Sequence, residues 1–426
     1  MRNSAAFPAG DIKLLKKKLL HWAADISPAV FIDHNAYTHF HPEIDCLVAT
    51  GAIHSFAPEG GNVFTSLKAF VDQQHDWLFG YLSYDLKNEI TPQPLPANPL
   101  IADYTGFPQA YFFRPRHVLQ IIGEKLIIAS TDDPSTLFAC INSTTIHETT
   151  PSGGTVANRV NRQSYMADVL KLQQHILNGD LYEVNLCQEF YIENYIAHPA
   201  ALFERLNDIN PAPFATFFRL SDHYLLSASP ERFLKKTGHT ITSQPMKGTR
   251  QRHALVSDEV QREQLRNDPK ERAENVMIVD LVRNDLAKSA VPGSVKVQDL
   301  FGVFTFPTVH QMVSTVTAEL RPEVHPVTAI KNAFPMGSMT GAPKIKAMEL
   351  IEQYEKSKRG LFSGTIGYIT PAGDFDFSVV IRSILYNATS KYLSFQAGSA
   401  ITYDSVAEKE YEECLLKAKA LIAALQ

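Results

Sequence analysis

Two pairs of glutamates are spaced three residues apart: Glu271 with Glu274, and Glu410 with Glu413. On a helix this spacing puts both carboxylates of a pair on one face. Four carboxylates from two helices can hold a hard divalent ion. Magnesium suits such a set when one or two bind directly and waters and ligand oxygens complete the shell. The same spacing describes a solvated acidic face, and Glu271 also reads as the end of a capping box begun by Asp268. Lys247 stands in Gln-Pro-Met-Lys-Gly-Thr-Arg, where Gly248 lets the backbone bend and bring a lysine close to a ligand. A lysine in a surface turn has the same signature. The loop Gly337-Ser338-Met339-Thr340-Gly341-Ala342-Pro343 precedes a helix. Its amides can cradle an anion there, or it is an ordinary capped turn. Arg382 interrupts the apolar run FSVVIRSILY, and a charge inside such a strand needs an anionic ligand or a protein carboxylate. The histidines show no metal-ligand spacing, and His310 reads equally well as a satisfied core histidine. No nucleophile elbow occurs, which removes the usual hydrolase reading.

These groups need a scaffold, and the pattern around them indicates one. Tyr165 to Leu177 has helical periodicity. Asp268-Pro269-Lys270-Glu271 starts a helix that runs on through AENVMIVDLVRNDL, with Asp as N-cap and Pro at the first turn. KIKAMELIEQYEKSK and VAEKEYEECLLKAKALIAAL read as two more helices. Strand-like runs are LIADYTGF, QAYFFRP, VLQIIGEKLIIAS, YEVNLCQEFYI, ATFFRL, HYLLSASP, FSGTIGYIT, FDFSVVIRSILY and YLSFQAGSAITY. Strands meandering between occasional helices indicate an α+β fold rather than a doubly wound parallel sheet. Neither a dinucleotide fingerprint nor a P-loop is present. The Thr/Ser/Gly-rich stretch 143–158 is the best candidate for a boundary or a surface loop; as a boundary it divides an N-terminal region, 1–155, from a region spanning 156–426. TPQPLPANPL reads as a Pro-rich loop.

The chain has 426 residues, long for one core. Its formal net charge of -5, with basic residues scattered, argues against nucleic acid as a partner. The run Lys16-Lys17-Lys18 reads as the solvated face of an amphipathic helix. Four cysteines, Cys46, Cys140, Cys187 and Cys414, form no C-x-x-C pair and read as buried small residues in a reducing compartment. With no signal-peptide pattern and no apolar stretch of membrane-spanning length, the expected location is the cytoplasm, without a membrane partner.

The blocks SPERFL, PMKGTR, ERAENVMIVDLVRNDL, VHQMVSTVTAEL, PMGSMTGAPKIKAMELIE, GTIGYI, VVIRS and QAGSAITYDSVAEKEYEECLLKA occur in one order over roughly residues 160 to 425. Together they resemble the chorismate-binding enzymes, which include anthranilate, aminodeoxychorismate, isochorismate and salicylate synthases. The earlier part matches more loosely, through WLFGYLSYDLKNE. The resemblance implies two large, mainly antiparallel β-sheets packed face to face and flanked by helices, with the two regions interleaved in one β-sandwich. It implies magnesium held by Glu274 and Glu413, with Glu271 and Glu410 as their second carboxylates. It implies that Arg382, Tyr368 and the backbone at Gly398, Ser399 and Ala400 hold the substrate's enolpyruvyl carboxylate. Thr249 and Ser338 would lie near the ring, and Lys417 is grouped with the substrate contacts.

Two positions distinguish branches of the family. The hydroxylating members carry a water-activating lysine where this chain has Glu183. Anthranilate synthases have P-I-A-G-T-R where this chain has Pro245-Met246-Lys247-Gly248-Thr249-Arg250, and lysine there marks aminodeoxychorismate synthase component I. The resemblance thus implies attack of a deprotonated Lys247 on chorismate. Ammonia from a separate glutamine amidotransferase would then give 4-amino-4-deoxychorismate, on the route to 4-aminobenzoate and folate. A free lysine has a pKa of about 10.4, so Lys247 is expected to be desolvated or near other cations. The family's acid for the leaving hydroxyl, a histidine, is replaced by Gln311, which hydrogen-bonds but is no acid. Ala400 replaces a glycine, and the tryptophan-binding pattern appears as Phe31-Ile32-Asp33-His34, so feedback by tryptophan is not expected. The alternatives are an anthranilate synthase large subunit and a non-catalytic chorismate-binding regulatory subunit.

Overall fold

The structure, a computed structural model, describes every residue except 1, 38, 41–42, 59, 92–94, 96–100, 149–153, 254 and 307–308. A long antiparallel hairpin, Cys46–Phe56 with Ala110–Ile122, organises the strands. It bends at Gly51, whose φ is +66°, and at a register shift between Ala52 and His54. Pro115 sits opposite Ala52 at this irregularity, where a missing N–H is tolerated. Each half of the hairpin belongs to a different layer. From residues 117–122 the first layer runs through Lys125–Ser130 to Asn3–Pro8 on one side. On the other it runs through Ala29–Asp33, Phe214–Leu220, His223–Ser229, Ser383–Asn387 and Tyr392–Ile401 to Glu183–Ile192. From residues 110–113 the second layer runs through Leu78–Leu82, Thr365–Ile369, Phe375–Val379, Arg232–Thr237, Thr240–Gln244 and Val309–Glu319 to Lys296–Thr305. All these pairings are antiparallel, as the α+β reading requires.

The layers meet across a core in which Val30, Leu47, Phe218 and Leu225 pack with Phe79, Tyr81, Phe113 and Ile366. The Tyr81 and Phe218 rings touch edge to face, 5.3 Å between centroids. Helices Ile12–Ala24, Arg162–Leu177, Pro199–Ile209 and Ala407–Leu425 cover the outside of the first layer. Val63–Gln74, Pro269–Ala287 and Pro326–Ala333 cover the second. Strands from either side of residue 155 pair directly: Ala29–Asp33 with Phe214–Leu220, and Leu78–Leu82 with Thr365–Ile369.

Several local expectations are corrected. LIADYTGF forms no strand over its described residues. The Asp103 carboxylate takes the backbone N–H and hydroxyl of Thr105, and Gly106 has a φ of +69°, so turn chemistry prevails. FDFSVVIRSILY is two strands, because the chain leaves the second layer after Val379 and enters the first at Ser383. Lys16-Lys17-Lys18 is not a solvated face: Lys16 pairs with Asp33 and Asp45 at 2.8 Å each, and Lys17 pairs with Glu204. Cys140 is exposed, whereas the other three cysteines are buried thiols. TPQPLPANPL and the centre of the proposed boundary, 149–153, lie largely or wholly outside the described residues.

Candidate functional site

The Glu183–Ile192 and Tyr392–Ile401 strands form the floor of a cavity of about 620 Å³. Gly398 lies opposite Cys187, and any Cβ on it would come within 2.0 Å of the Leu186 carbonyl oxygen, so only glycine fits. Past Phe395 the Tyr392–Ile401 strand is paired on one edge. Its other edge meets the Ala407–Leu425 helix, where Lys417 donates to the Gly398 carbonyl (3.0 Å) and ion-pairs with Glu413 (2.7 Å). Gly398 and Ala400 line the cavity, but the Ser399 side chain points the other way, 3.2 Å from the Tyr165 hydroxyl. This follows from strand alternation.

Lys247 reaches the cavity through a bulge. The Met246–Gln251 strand shifts register against Val309–Glu319 between Met246 and Thr249, and Gly248 takes a φ of +95°. Such a bulge re-aims a side chain out of the ladder. It is braced on three sides. Asn275, fully buried on the Pro269–Ala287 helix, donates to the Lys247 carbonyl (3.3 Å) and accepts from the Ser314 hydroxyl (2.6 Å). Gln311 donates to the Gly248 carbonyl and accepts from the Thr249 hydroxyl, both at 2.8 Å. Both ends of the Gln311 amide are thus occupied within the bulge, so Gln311 is a brace for Lys247 and not a reacting group. His310 points away from the cavity, with Nδ1 3.1 Å from the Thr305 hydroxyl and Nε2 3.4 Å from Asp258.

The electrostatics around Lys247 correct the expected free amine. Burial by itself would lower its pKa, but the carboxylates of Glu183, Glu274 and Glu413 outweigh burial and hold it as an ammonium. Glu183 is the close partner, 2.6 Å from Nζ and 2% exposed. Glu231, 4% exposed, borders the same cavity. Burial pushes its carboxyl up to about 7, against the opposing effects of the Ser338 hydroxyl and Lys247. A proton therefore resides on Glu231 near neutrality. Neither acid was assigned a role from sequence. A signal was present only for Glu183, a carboxylate at the start of an apolar strand; Glu231 sits between Pro230 and Arg232, outside the strands on either side.

All four glutamates of the two spaced pairs line the cavity. Burial and then repulsion from Glu274 and Glu413 raise Glu271 to about 7. Burial foremost also raises Glu274 and Glu410, while Lys417 holds Glu413 down. Lys270 lies 3.7 Å from Glu274 and is itself raised, since the four carboxylates together outweigh its burial. The cluster attracts cations. Among the described residues no three acidic, histidine or cysteine side chains close into a ligand cage. An ion held here would take one or two of these carboxylates directly and the rest of its ligands from water or a bound molecule. The capping box is only half formed. Asp268 caps the helix through Oδ1, but its own N–H goes to the Leu265 carbonyl, leaving Glu271 turned toward Gly248 and the cavity.

Arg382, at φ +52°, sits where the chain crosses between layers, and it borders the cavity. It has no carboxylate partner among the described residues, and burial lowers its pKa against the pull of Glu413. The cavity thus joins a cluster of acids with a guanidinium that has no carboxylate partner among the described residues. Tyr368 is not brought to the site. It shares a strand face with Ile366 and packs on Trp77 and Phe79. The Gly337–Pro343 loop is not an anion cradle: the N–H groups of Met339 and Thr340 bond to Met336 and Gly337, and Gly341–Ala342 pairs with Glu183 and Val184. Ser338 alone of the loop's polar side chains borders the cavity. Arg359 fastens the loop to the floor. It is paired bidentately with Glu355 (2.7 and 2.9 Å) and donates to the carbonyls of Met339 (2.6 Å) and Asn185 (3.1 Å).

A family model described as chorismate binding enzyme matches residues 36–423. Aminodeoxychorismate synthase component 1 of Klebsiella aerogenes is 41% identical over 300 residues, which cover 70% of this chain and 66% of that protein. Anthranilate synthase component 1 of Bacillus subtilis is 38% identical over 274 residues, covering 64% of this chain and 53% of that protein. The matched stretches thus span less than two thirds of either relative. The crystal structure of anthranilate synthase component I from Streptococcus pneumoniae superposes with a TM-score of 0.76 at 25% identity, covering 89% of this chain and 92% of that one. Among the described residues no helix is long and apolar enough to cross a membrane.

Proposed function

The chain belongs to the chorismate-binding enzymes, and from that membership we propose that it aminates chorismate to 4-amino-4-deoxychorismate, as an aminodeoxychorismate synthase component I. The observation that carries this reading is a buried lysine, Lys247, in a cavity that also holds a carboxylate cluster and Arg382, which has no carboxylate partner among the described residues. Chorismate carries two carboxylates, so it needs a cation at each end of its site. Arg382 suits the enolpyruvyl carboxylate. Glu274 and Glu413, aided by Glu271 and Glu410, suit a magnesium ion. When bound, that ion would neutralise the ring carboxylate and polarise the conjugated ring.

The chain's own groups then supply the rest. Gly398 permits close approach of substrate to the floor. Lys247 attacks ring carbon 2 as the bond from carbon 4 to its hydroxyl breaks. Glu231 gives its proton to that hydroxyl, which leaves as water, and this replaces the acid role that Gln311 cannot fill. Ammonia adds at carbon 4, the carbon 2–nitrogen bond breaks, and Lys247 is released. The source of ammonia in this reading is a glutamine amidotransferase subunit, consistent with the name component 1 of the Klebsiella relative. The setting would be the cytoplasm, and the product a precursor of 4-aminobenzoate and folate.

The test is direct. Incubation of the pure chain with chorismate, magnesium and ammonium should give aminodeoxychorismate with no pyruvate. Fluorescent anthranilate with released pyruvate would instead establish the second reading, which the Bacillus similarity favours. No turnover would leave a chorismate-binding regulatory subunit. Without ammonia, chorismate should add its mass less one water to Lys247, and Lys247→Arg should neither form the adduct nor aminate, since guanidinium stays protonated.

A further inference from the structure

We propose that Glu183 is the general base that takes the proton from Lys247 to free its amine for attack and returns it when the lysine is released. This rests on the covalent reading of Lys247 given above. A lysine held as an ammonium cannot form a bond to carbon, so some group must accept its proton before it attacks. Glu183 is the carboxylate within hydrogen-bond distance of Nζ, at 2.6 Å. Glu274 and Glu413 act on the lysine from further away and face the cation end. Glu231 already carries a proton near neutrality.

Both partners are fixed before substrate arrives. Glu183 pairs through its backbone with Ala342, and its neighbour Val184 pairs with Gly341 on one side and Ile401 on the other. A Cβ at Gly341 would meet the Glu183 carbonyl oxygen at 2.1 Å, so the glycine lets the two strands close on this point. Lys247 is held by Asn275 and the Gln311-braced bulge. The proton can therefore pass along an existing hydrogen bond with no side-chain movement, which is the geometry that proton transfer requires. The protons balance. The Lys247 ammonium gives one proton to the Glu183 carboxylate. The neutral amine bonds to carbon 2, while Glu231 protonates the departing hydroxyl. Ammonia then bonds to carbon 4 and gives one proton to the Glu231 carboxylate. The carbon 2–nitrogen bond breaks, Lys247 leaves as an amine, and Glu183 reprotonates it.

The experiment measures the rate of Lys247 adduct formation by intact mass, with chorismate and magnesium and without ammonia, from pH 7 to 9.5. It compares wild type, Glu183→Gln and Glu183→Asp, each checked for folding by near-ultraviolet circular dichroism. Glu231, Glu274 and Glu413 are present in all three; Glu183 itself acts on Glu274, and the Asp variant, which keeps that charge, controls for this coupling. At pH 7 the Gln variant should be slower by about 100-fold or more. Its ratio should climb about tenfold per pH unit as solvent takes over deprotonation of the lysine. The Asp variant, which keeps a carboxylate, should show a ratio that does not change with pH. A structural role would instead lower the Gln rate by the same factor at every pH. That result, or a Gln ratio near one, or an Asp ratio that climbs like the Gln ratio, overturns the proposal while the wild-type adduct leaves the covalent reading intact. Absence of any adduct on wild-type Lys247 overturns both.

Discussion

Replacement of Glu231 by Gln should separate stability from catalysis in one residue. The Glu231 carboxyl is raised from 4.5 to about 7, chiefly by burial. At about 1.36 kcal/mol per pH unit, ionising it in the folded protein costs about 3 kcal/mol more than in the unfolded chain. The sign follows from proton uptake: between these two values the folded state binds the extra proton. The associated stability is full below pH 4.5 and is lost as pH rises through 7. Glutamine keeps the shape and a hydrogen-bonding oxygen but cannot ionise. Urea unfolding at pH 5 and pH 8, without magnesium or chorismate, should therefore show wild type losing about 2–3 kcal/mol more than Glu231→Gln over that interval. Differencing against the variant removes the other groups that titrate there, Glu271 among them. At the same time the variant's amination rate should fall by roughly 10²–10⁴, as loss of a general acid does. Parallel pH slopes for the two proteins would refute the assigned protonation of Glu231. An unchanged rate with the expected slopes would leave it a buried acid without a catalytic part.

Magnesium should raise the melting temperature of the wild type, and Glu274→Gln and Glu413→Gln should each nearly abolish that rise and amination, because a neutral amide is a poor ligand for this ion. Normal magnesium stabilisation in Glu274→Gln would remove the metal assignment. Glu271→Gln should stabilise the magnesium-free protein at pH 8 by roughly 1–3 kcal/mol, since burial and then like-charge repulsion oppose its ionisation and it forms no cap. Destabilisation on urea unfolding would show that the capping role dominates after all. Gly398→Ala should lower stability by about 1–3 kcal/mol or more through its overlap with Leu186 and Cys187, and chorismate consumption should fall with it. A stable, active alanine variant would show that the floor strands can part.

The antiparallel strands and about half of the helices were legible because their signals are local, whereas the two packed layers came from the family resemblance. Period-two strands, the Asp268-Pro269 helix start and the three-residue glutamate spacing each depend on a few adjacent residues, and the ordered blocks from residue 160 to 425 carried the family. The same spacing could not say which glutamate caps and which faces the cavity. That depended on Leu265, whose carbonyl takes the Asp268 N–H and so leaves Glu271 without its half of the box. Nor could the run FSVVIRSILY show its break, since it occurs where the chain must pass from one layer to the other, and Arg382 owes its place by the cavity to that crossing. Tyr368 was drawn to the site by its motif, yet strand alternation sets it among Trp77 and Phe79. The charge state of Lys247 was the largest gap. Residues 183, 231, 274 and 413 are distant in sequence, and only the closed fold brings their carboxylates around one amine. Propensity and periodicity are properties of neighbours along the chain, whereas a proton's position depends on the charges that surround it in space.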